Sequence, residues 1–200
     1  MAKLYFRYGA MNSGKSTALL QAAFNYEERD QRVLLAKPQI DTKGSDEIVS
    51  RLGVTRTVDF VIPEEAQLRG LFTRYARAET AEALFTPPHV KPVACLLVDE
   101  AQFLTPEHVD DLLRIAVFDD VPVLAYGIRT DFRTRAFPGS ARLMDLAHTL
   151  EELKTICRCG RKALFNTRRQ GESFVFDGDQ VAIDAATMTV DLEATTRLRS

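Results

Sequence analysis

Residues Gly9-Ala10-Met11-Asn12-Ser13-Gly14-Lys15-Ser16 form a glycine-framed run that ends in Lys-Ser and decides the fold of this chain. Residues 3–8 precede the run with an apolar strand pattern, and residues 17–29 follow it with a helical pattern. A strand, such a loop and a helix in this order predict a phosphate-binding loop, whose backbone N–H groups cradle phosphates at a helix N-terminus. Lys15 is predicted to reach the outer phosphates of a nucleotide, and Ser16 to bind Mg2+.

The composition limits the class of protein. The chain has 200 residues, of which 46% are hydrophobic, and a formal net charge of -2. This length suits one globular domain with a small appendage, and the slight acidity argues against nucleic acid as the main partner. The sequence shows neither a leader pattern nor an apolar run long enough for a bilayer, so we expect a cytoplasmic protein without a membrane partner. Three cysteines are too few for a secreted disulfide scaffold.

Apolar runs recur along the chain with helical patterns between them, which predicts a parallel sheet with crossover helices. After the first strand, further strands are predicted at residues 32–37, 58–62, 93–100 and 121–126. Helices are predicted to start at Pro63 and at Thr105-Pro106. Short alternating strands with turns at residues 162–183 predict a small β-rich appendage.

Two carboxylates, Asp99 and Glu100, end the most continuously apolar strand candidate. Ligands of open parallel sheets bind beyond the carboxyl ends of the strands, so these acids are predicted to face the phosphate loop. There Asp99 would hold Mg2+, and Glu100 would take a proton from an attacking hydroxyl. A solvated strand end is the other interpretation, and the phosphate loop favours the catalytic one. Nucleoside kinases, ATPases and helicases share both features, so these residues alone do not name a function.

Further blocks carry a more specific resemblance. Besides residues 9–17 and 99–103, they are Tyr-Gly-Ile-Arg-Thr-Asp-Phe-Arg at 126–133, Phe-Pro-Gly-Ser at 137–140 and Leu-Lys-Thr-Ile-Cys-Arg-Cys-Gly-Arg-Lys-Ala at 153–163. In order and spacing, the chain resembles the thymidine kinases of the bacterial and cytosolic type (type II) from about residue 4 to 168. The resemblance implies an α/β fold, a P-loop (RecA-like) parallel sheet with flanking helices plus a small β-rich C-terminal lasso appendage. The kinase domain would span residues 1–155 and the appendage residues 156–200.

The resemblance also implies a reaction, the transfer of the γ-phosphoryl group of ATP to the 5'-hydroxyl of thymidine in nucleoside salvage for DNA synthesis. Glu100 would be the general base, and Arg51 would lie beside the transferring phosphate, with Arg129 as a second candidate. A homotetramer and feedback inhibition by thymidine triphosphate are implied by the resemblance alone. The nucleotide and its Mg2+ would be held by Asp99 and by the loop residues Gly9, Ala10, Met11, Asn12, Ser13, Gly14, Lys15, Ser16 and Thr17.

The acceptor half of the site is also implied by the resemblance. Family members bracket the thymine between two rings and hold it largely by backbone groups of a lasso, which would here run from about residue 169 to 189. The corresponding substrate-binding residues are Gln102, Phe103, Ile128, Phe132 and Asn166.

The lasso departs from the family pattern. Asp184-Ala185 stand where the family has two glycines, and Thr189 stands near its tyrosine. Losing the glycines narrows the backbone conformations that the loop can adopt. A kinase for another deoxynucleoside, and a non-catalytic P-loop module that binds or hydrolyses ATP, therefore stay open as alternatives.

A structural zinc site is expected to be absent or incompletely bound. Bacterial family members bind zinc through a Cys-x-Cys pair and a later Cys-x-x-His, a four-ligand set. This chain keeps Cys157 and Cys159 but aligns Glu193 and Thr196 with the second pair, which leaves half a site. Cys95 is expected to be a small buried apolar residue. The three histidines are expected to be ordinary surface or core residues: His89, His108 and His148.

Overall fold

The computed structural model describes residues 1–39, 46–77, 91–157, 159–170, 173–176 and 191–195. Its strands are β1 (Leu4–Tyr8), β2 (Arg32–Pro38), β3 (Glu47–Val49), β4 (Thr55–Thr57), β5 (Phe60–Ile62), β6 (Val93–Val98), β7 (Val123–Gly127), β8 (Thr149–Glu152), β9 (Phe165–Gln170), β10 (Ser173–Val175) and β11 (Asp191–Thr195). Its α-helices are α1 (Lys15–Glu27), α2 (Leu68–Arg77), α3 (Pro106–Phe118) and α4 (Pro138–Leu146).

Six strands form the main sheet in the order β5-β2-β6-β7-β1-β8. Every neighbouring pair in this sheet is parallel. The carboxyl ends of β1, β6 and β7 therefore lie at one edge, with β7 between the other two. The predicted parallel sheet with crossover helices is confirmed.

Helices cover both faces of this sheet, which explains why its central strands read as nearly continuous apolar runs. One core cluster joins alternate strand residues such as Leu96 to α2, α3 and α4. Leu112 of α3 is fully buried in this cluster. The other cluster joins the opposite strand face, including Leu97, to Leu19 and Ala23 of α1. Cys95 belongs to this second cluster and is 0% exposed, so the prediction of a buried apolar residue is confirmed.

The predicted helix start at Pro63 is wrong, because residues 63–67 form a turn and α2 begins at Leu68. The Ala66 N–H donates to the Pro63 carbonyl at 3.1 Å, which closes the turn. The Ala66 carbonyl lies 2.9 Å from Nε2 of His108 rather than on a helical N–H. His108 also completes the capping box of Thr105 at the start of α3, and this helix start is the one that the sequence predicts.

Other elements differ from the sequence prediction at their edges or were not predicted. Helix α1 begins at Lys15, two positions before the predicted start, since Gly14 is its N-cap. The sequence analysis missed the antiparallel hairpin of β3 and β4, which follows β2. It also missed β8, which pairs with β1 at the sheet edge.

A second, antiparallel sheet in the order β10-β9-β11 lies in the predicted β-rich C-terminal segment. Strand β9 is central and pairs with both neighbours. The lasso residues Asp184, Ala185 and Thr189 lie outside the described residues, as does His89. Among the described residues, no helix has the length and apolar character needed to cross a membrane.

Gly139 is predicted to be needed for close packing of α4 on the turn that follows β6. A Cβ at this position would lie 2.5 Å from the Leu104 carbonyl oxygen and 2.8 Å from that of Ala101. Both neighbours are backbone atoms and cannot move aside alone, so we expect Gly139→Ala to lower the free energy of unfolding by about 1–3 kcal/mol. Urea denaturation measures this change.

Gly70 in α2 provides the matched control. A Cβ there would meet its nearest atom at 3.9 Å, which is ordinary contact. Gly70→Ala is therefore expected to raise the free energy of unfolding by about 0.5–1 kcal/mol through the entropy of the unfolded chain. Equal urea midpoints for the two variants would contradict the packing argument.

Candidate active site

The phosphate loop connects β1 to α1 and needs left-handed backbone at Asn12 (φ 66) and Gly14 (φ 74). At its other end, a Cβ on Gly9 would lie 2.3 Å from Oγ of Ser13 and 2.6 Å from the Leu153 carbonyl oxygen. The Gly9 N–H donates to the carbonyl of Gly127 at the end of β7, at 3.2 Å. Close packing thus requires the first glycine, and the backbone conformation favours the second.

Lys15 lies over its own loop, where Nζ donates to the Ala10 carbonyl at 3.0 Å. Burial lowers the pKa of this ammonium, while the carboxylates of Glu100 and Asp99 act in the opposite direction. The positive charge of Arg51 also acts on Lys15 and lowers its pKa further. The loop lysine therefore interacts electrostatically with both predicted acids and with the arginine of the β3–β4 turn.

Asp99 is held at the end of β6, directly beside the first turn of α1. Its Oδ2 accepts a hydrogen bond from Oγ of Ser16 at 3.0 Å, and the side chain is almost completely buried. Burial, reinforced by the neighbouring Glu100 carboxylate, raises the pKa of Asp99 above its usual range. The hydroxyl of Ser16 and the backbone N–H of Glu100 oppose this shift by donating to the carboxylate.

The pairing of Ser16 with Asp99 fits the requirements of Mg2+. This ion takes oxygen ligands and is usually bound by one or two protein groups together with water and substrate phosphates. A hydroxyl oxygen and a carboxylate oxygen 3.0 Å apart beside the phosphate loop match that pattern. Among the described residues, no group of three or more His, Cys, Asp or Glu side chains could hold a metal ion by itself.

Glu100 has a left-handed backbone with φ 49, which is unusual for a residue with a Cβ. Its N–H donates to Oδ1 of Asp99 at 3.0 Å, and it caps a single 3-10 turn at Ala101–Phe103. The chain thus changes direction sharply where β6 ends. As a result the side chains of the two adjacent acids lie in different surroundings: Asp99 bonds to Ser16, and Glu100 bonds to Gln102.

Gln102 is 2% exposed and uses both ends of its amide within the protein. Its Nε2 donates to Oε2 of Glu100, and its Oε1 accepts from the N–H of Ile128 at 3.2 Å. The family resemblance implies that Gln102 binds substrate. In the structure Gln102 lies at the candidate site, where its amide bridges the residues that follow β6 and β7.

Of the two aromatic residues predicted to bracket the base, Phe103 is half-buried and meets Phe137 edge-on, with ring centroids 5.5 Å apart. Phe132 is 3% exposed, and the guanidinium carbon of Arg168 lies 3.8 Å from its ring centroid. Arg168, from β9, thus covers one face of Phe132, an arrangement typical of cation–π contacts. Sequence reasoning missed this partner because no local spacing links the two residues.

Asn166 connects the phosphate loop to the segment that follows β7. Its Oδ1 accepts from the N–H of Met11 at 2.7 Å, and its Nδ2 donates to the Thr130 carbonyl at 2.8 Å. The side chain is 4% exposed. One loop N–H predicted to face phosphate is therefore used by Asn166, and this residue from β9 contacts both halves of the predicted site.

The cysteine pair lies on a tight turn before β9. The Gly160 N–H donates to the Cys157 carbonyl at 2.8 Å, and Gly160 has φ 79. Cys157 is half-buried and Cys159 is exposed. The side chain of Glu193 and the whole of Thr196 lie outside what the structure describes.

The family model described as thymidine kinase matches residues 2–188. The chain belongs to the thymidine kinase family. It is 47% identical over 186 residues to a thymidine kinase of Idiomarina loihiensis, covering 92% of this chain and 89% of that protein. It is 44% identical over 185 residues to a thymidine kinase of Ruegeria pomeroyi, with 92% and 87% covered. A thymidine kinase of Rhodopirellula baltica is 45% identical over 186 residues, with 92% and 82% covered.

Cys95 is predicted to resist alkylation in the folded protein. It is 0% exposed beneath α1, and burial raises the pKa of its thiol to about 12. Since the thiolate is the reactive form, iodoacetamide at pH 8 should leave Cys95 unmodified in buffer and modify it in denaturant. Peptide mass spectrometry measures both, with exposed Cys159 as the internal control. Equal modification of the two cysteines in the native protein would contradict the prediction.

Proposed function

We propose that this protein transfers the γ-phosphoryl group of ATP to the 5'-hydroxyl of thymidine. The observation that carries the proposal is the convergence of the phosphate loop, Asp99 and Glu100 at one edge of the sheet, in a member of the thymidine kinase family. Phosphoryl transfer needs positioning and charge neutralisation more than covalent chemistry. The site offers both.

The donor half would hold ATP through the phosphate loop and through Lys15. Loop N–H groups and the N-terminus of α1 favour negative charge. Nζ of Lys15 lies 3.0 Å from the Ala10 carbonyl oxygen. The side chain would turn away from the loop to reach a bound phosphate. Ser16 and Asp99 would hold Mg2+, which when bound neutralises charge on the phosphate oxygens.

In the acceptor half, Glu100 would accept the proton of the 5'-hydroxyl. As that proton leaves, the hydroxyl oxygen bonds to the γ-phosphorus, and the bond between this phosphorus and its bridging oxygen breaks to release ADP. Arg51 would stabilise the charge on the transferring group, supported by its electrostatic effect on Lys15. We propose that Phe103, Ile128 and Phe132 line the base, with Asn166 beside them.

The altered lasso favours a second candidate, a kinase that accepts another deoxynucleoside. Asp184-Ala185 and Thr189 depart from the family pattern in the segment that would hold the base. Turnover of thymidine, deoxyuridine and deoxycytidine at equal concentration separates the candidates. Preference for thymidine supports the first, and preference for deoxycytidine supports the second.

We also propose residues 156–200 as the acceptor-side appendage, a cytoplasmic location and a homotetramer, all on the strength of the family. Strands β9, β10 and β11 form a sheet of their own, which supports the division. Zinc is proposed to be absent or incompletely bound, because only Cys157 and Cys159 remain of the four-ligand set. Metal analysis of the purified protein and light scattering of its assembly test these points.

Glu100→Gln is expected to lower kcat for thymidine by about 100-fold or more, because an amide cannot take the hydroxyl proton. ATP affinity should stay close to that of the wild type, since the phosphate loop is untouched. The measurement is transfer of radiolabelled γ-phosphate, with calorimetry for ATP. Glu107→Gln, an exposed acid in the first turn of α3, is the matched control. Transfer by Glu100→Gln at the control's rate would remove Glu100 as base.

Arg51→Ala is expected to lower kcat by roughly 100- to 1,000-fold, the range for losing a group that stabilises charge in the transition state. The thymidine KM should change little if Arg51 contacts only the transferring phosphate. Arg129→Ala, measured in the same steady-state assay, provides the comparison. A large loss in Arg129→Ala together with normal transfer by Arg51→Ala would assign the role to Arg129.

A further inference from the structure

The buried amide of Gln102 bridges the ends of two neighbouring strands at the candidate site. Its Nε2 donates to the Glu100 carboxylate beyond β6, and its Oε1 accepts from the Ile128 N–H beyond β7. A glutamine amide has a distinct donor end and acceptor end and does not ionise. This bridge can therefore form in one orientation only, with the NH2 group toward Glu100.

The surrounding backbone leaves Gln102 little freedom to move. A Cβ on Gly127 would lie 2.8 Å from Oε1 of Gln102 and 3.1 Å from its backbone nitrogen. On the other side, a Cβ on Gly139 would lie 3.1 Å from the Gln102 carbonyl oxygen. Two glycines thus leave room for the residue, Gly127 beside its amide oxygen and Gly139 beside its backbone carbonyl.

The Glu100 carboxylate accepts a hydrogen bond from this amide. Within the described part of the chain, only Oε2 of the Glu100 carboxylate has a hydrogen-bond donor, and that donor is Gln102. The backbone of Glu100 is left-handed and the residue is half-buried, so its side chain is not packed into the core. The hydrogen bond from Gln102 leaves Oε1 available to a substrate hydroxyl.

We propose that Gln102 is a positioning residue that orients the general base Glu100, and not a residue that binds thymidine. The inference rests on the proposed function, since it assigns Gln102 a role in the same transfer. Gln102 keeps its own protons throughout. Its contribution is to hold Oε1 of Glu100 where the 5'-hydroxyl arrives.

Gln102→Met keeps the length of the side chain and removes both hydrogen bonds. We expect kcat for thymidine to fall by about 10- to 100-fold, the cost of misplacing a reacting group by about 1 Å. The thymidine KM should stay within about threefold of the wild type, because no substrate contact is lost. A higher KM with unchanged kcat would instead make Gln102 a thymidine contact, and unchanged kcat and KM would leave it without a role. Either result overturns the proposal.

Gln21→Met is the matched control for this substitution. Gln21 is an exposed glutamine on α1 that bonds only to Asn25 of the same helix, at 2.9 Å, among the contacts that the structure describes. Its kinetics should equal those of the wild type. Thermal melting of both variants separates a loss of positioning from a loss of folding.

A double-mutant cycle tests whether Gln102 acts through Glu100. If it does, adding Gln102→Met to Glu100→Gln should lower kcat by less than about threefold, because the group to be oriented is already gone. A second full loss of 10- to 100-fold, on the scale set by misplacement, would show that Gln102 acts independently and would overturn the proposal.

Crystal structures of the wild type and of Gln102→Met provide a readout that does not depend on turnover. We expect the Glu100 carboxylate to move by about 1 Å or more, or to become disordered, in the variant. An unmoved carboxylate overturns the inference. If the wild type fails to phosphorylate thymidine, the proposed function fails, and this comparison still decides whether Gln102 orients Glu100.

Discussion

The parallel pairing of β7 with both β1 and β6 is the constraint on which the site depends. Strand β1 delivers the phosphate loop and β6 delivers the two acids. Because β7 lies between them, the segment after Gly127 lies between the phosphate loop and the two acids. Parallel strands end at the same edge because crossover connections carry the chain back, and α1, α3 and α4 bury the apolar faces that make this arrangement stable.

Hydrogen bonds by buried amides then join the three strand ends. Asn166 links the loop after β1 to the segment after β7, and Gln102 links that segment to the acid after β6. Each amide is almost completely buried, so leaving either end without a partner would cost free energy of desolvation. Lys15 of the phosphate loop interacts with two carboxylates, whose opposite charges offset part of the cost of burying the ammonium.

The parts that sequence reasoning predicted are those with local causes. Glycine positions, the Lys-Ser ending and a flanking strand and helix identify the phosphate loop within a short stretch of sequence, and Thr105-Pro106 marks the start of α3. Residues 63–65 predict a helix start, but the chain forms a turn there, and the Ala66 carbonyl contacts His108 of α3, a residue distant in the sequence. The hairpin of β3 and β4 was missed because its strands have three residues each, too few to show alternation.

The sequence by itself determined the phosphate loop between a strand and a helix, five of the six strands of the main sheet and the position of two acids at a strand end, since each follows from residue type and short spacing. Only the tertiary structure decided which acid faces Ser16 and which faces Gln102, because the left-handed backbone of Glu100 separates two adjacent side chains. It also decided that Asn166, distant in sequence, lies against the phosphate loop. Such contacts arise when strand pairing closes long stretches of chain, and no local pattern encodes them.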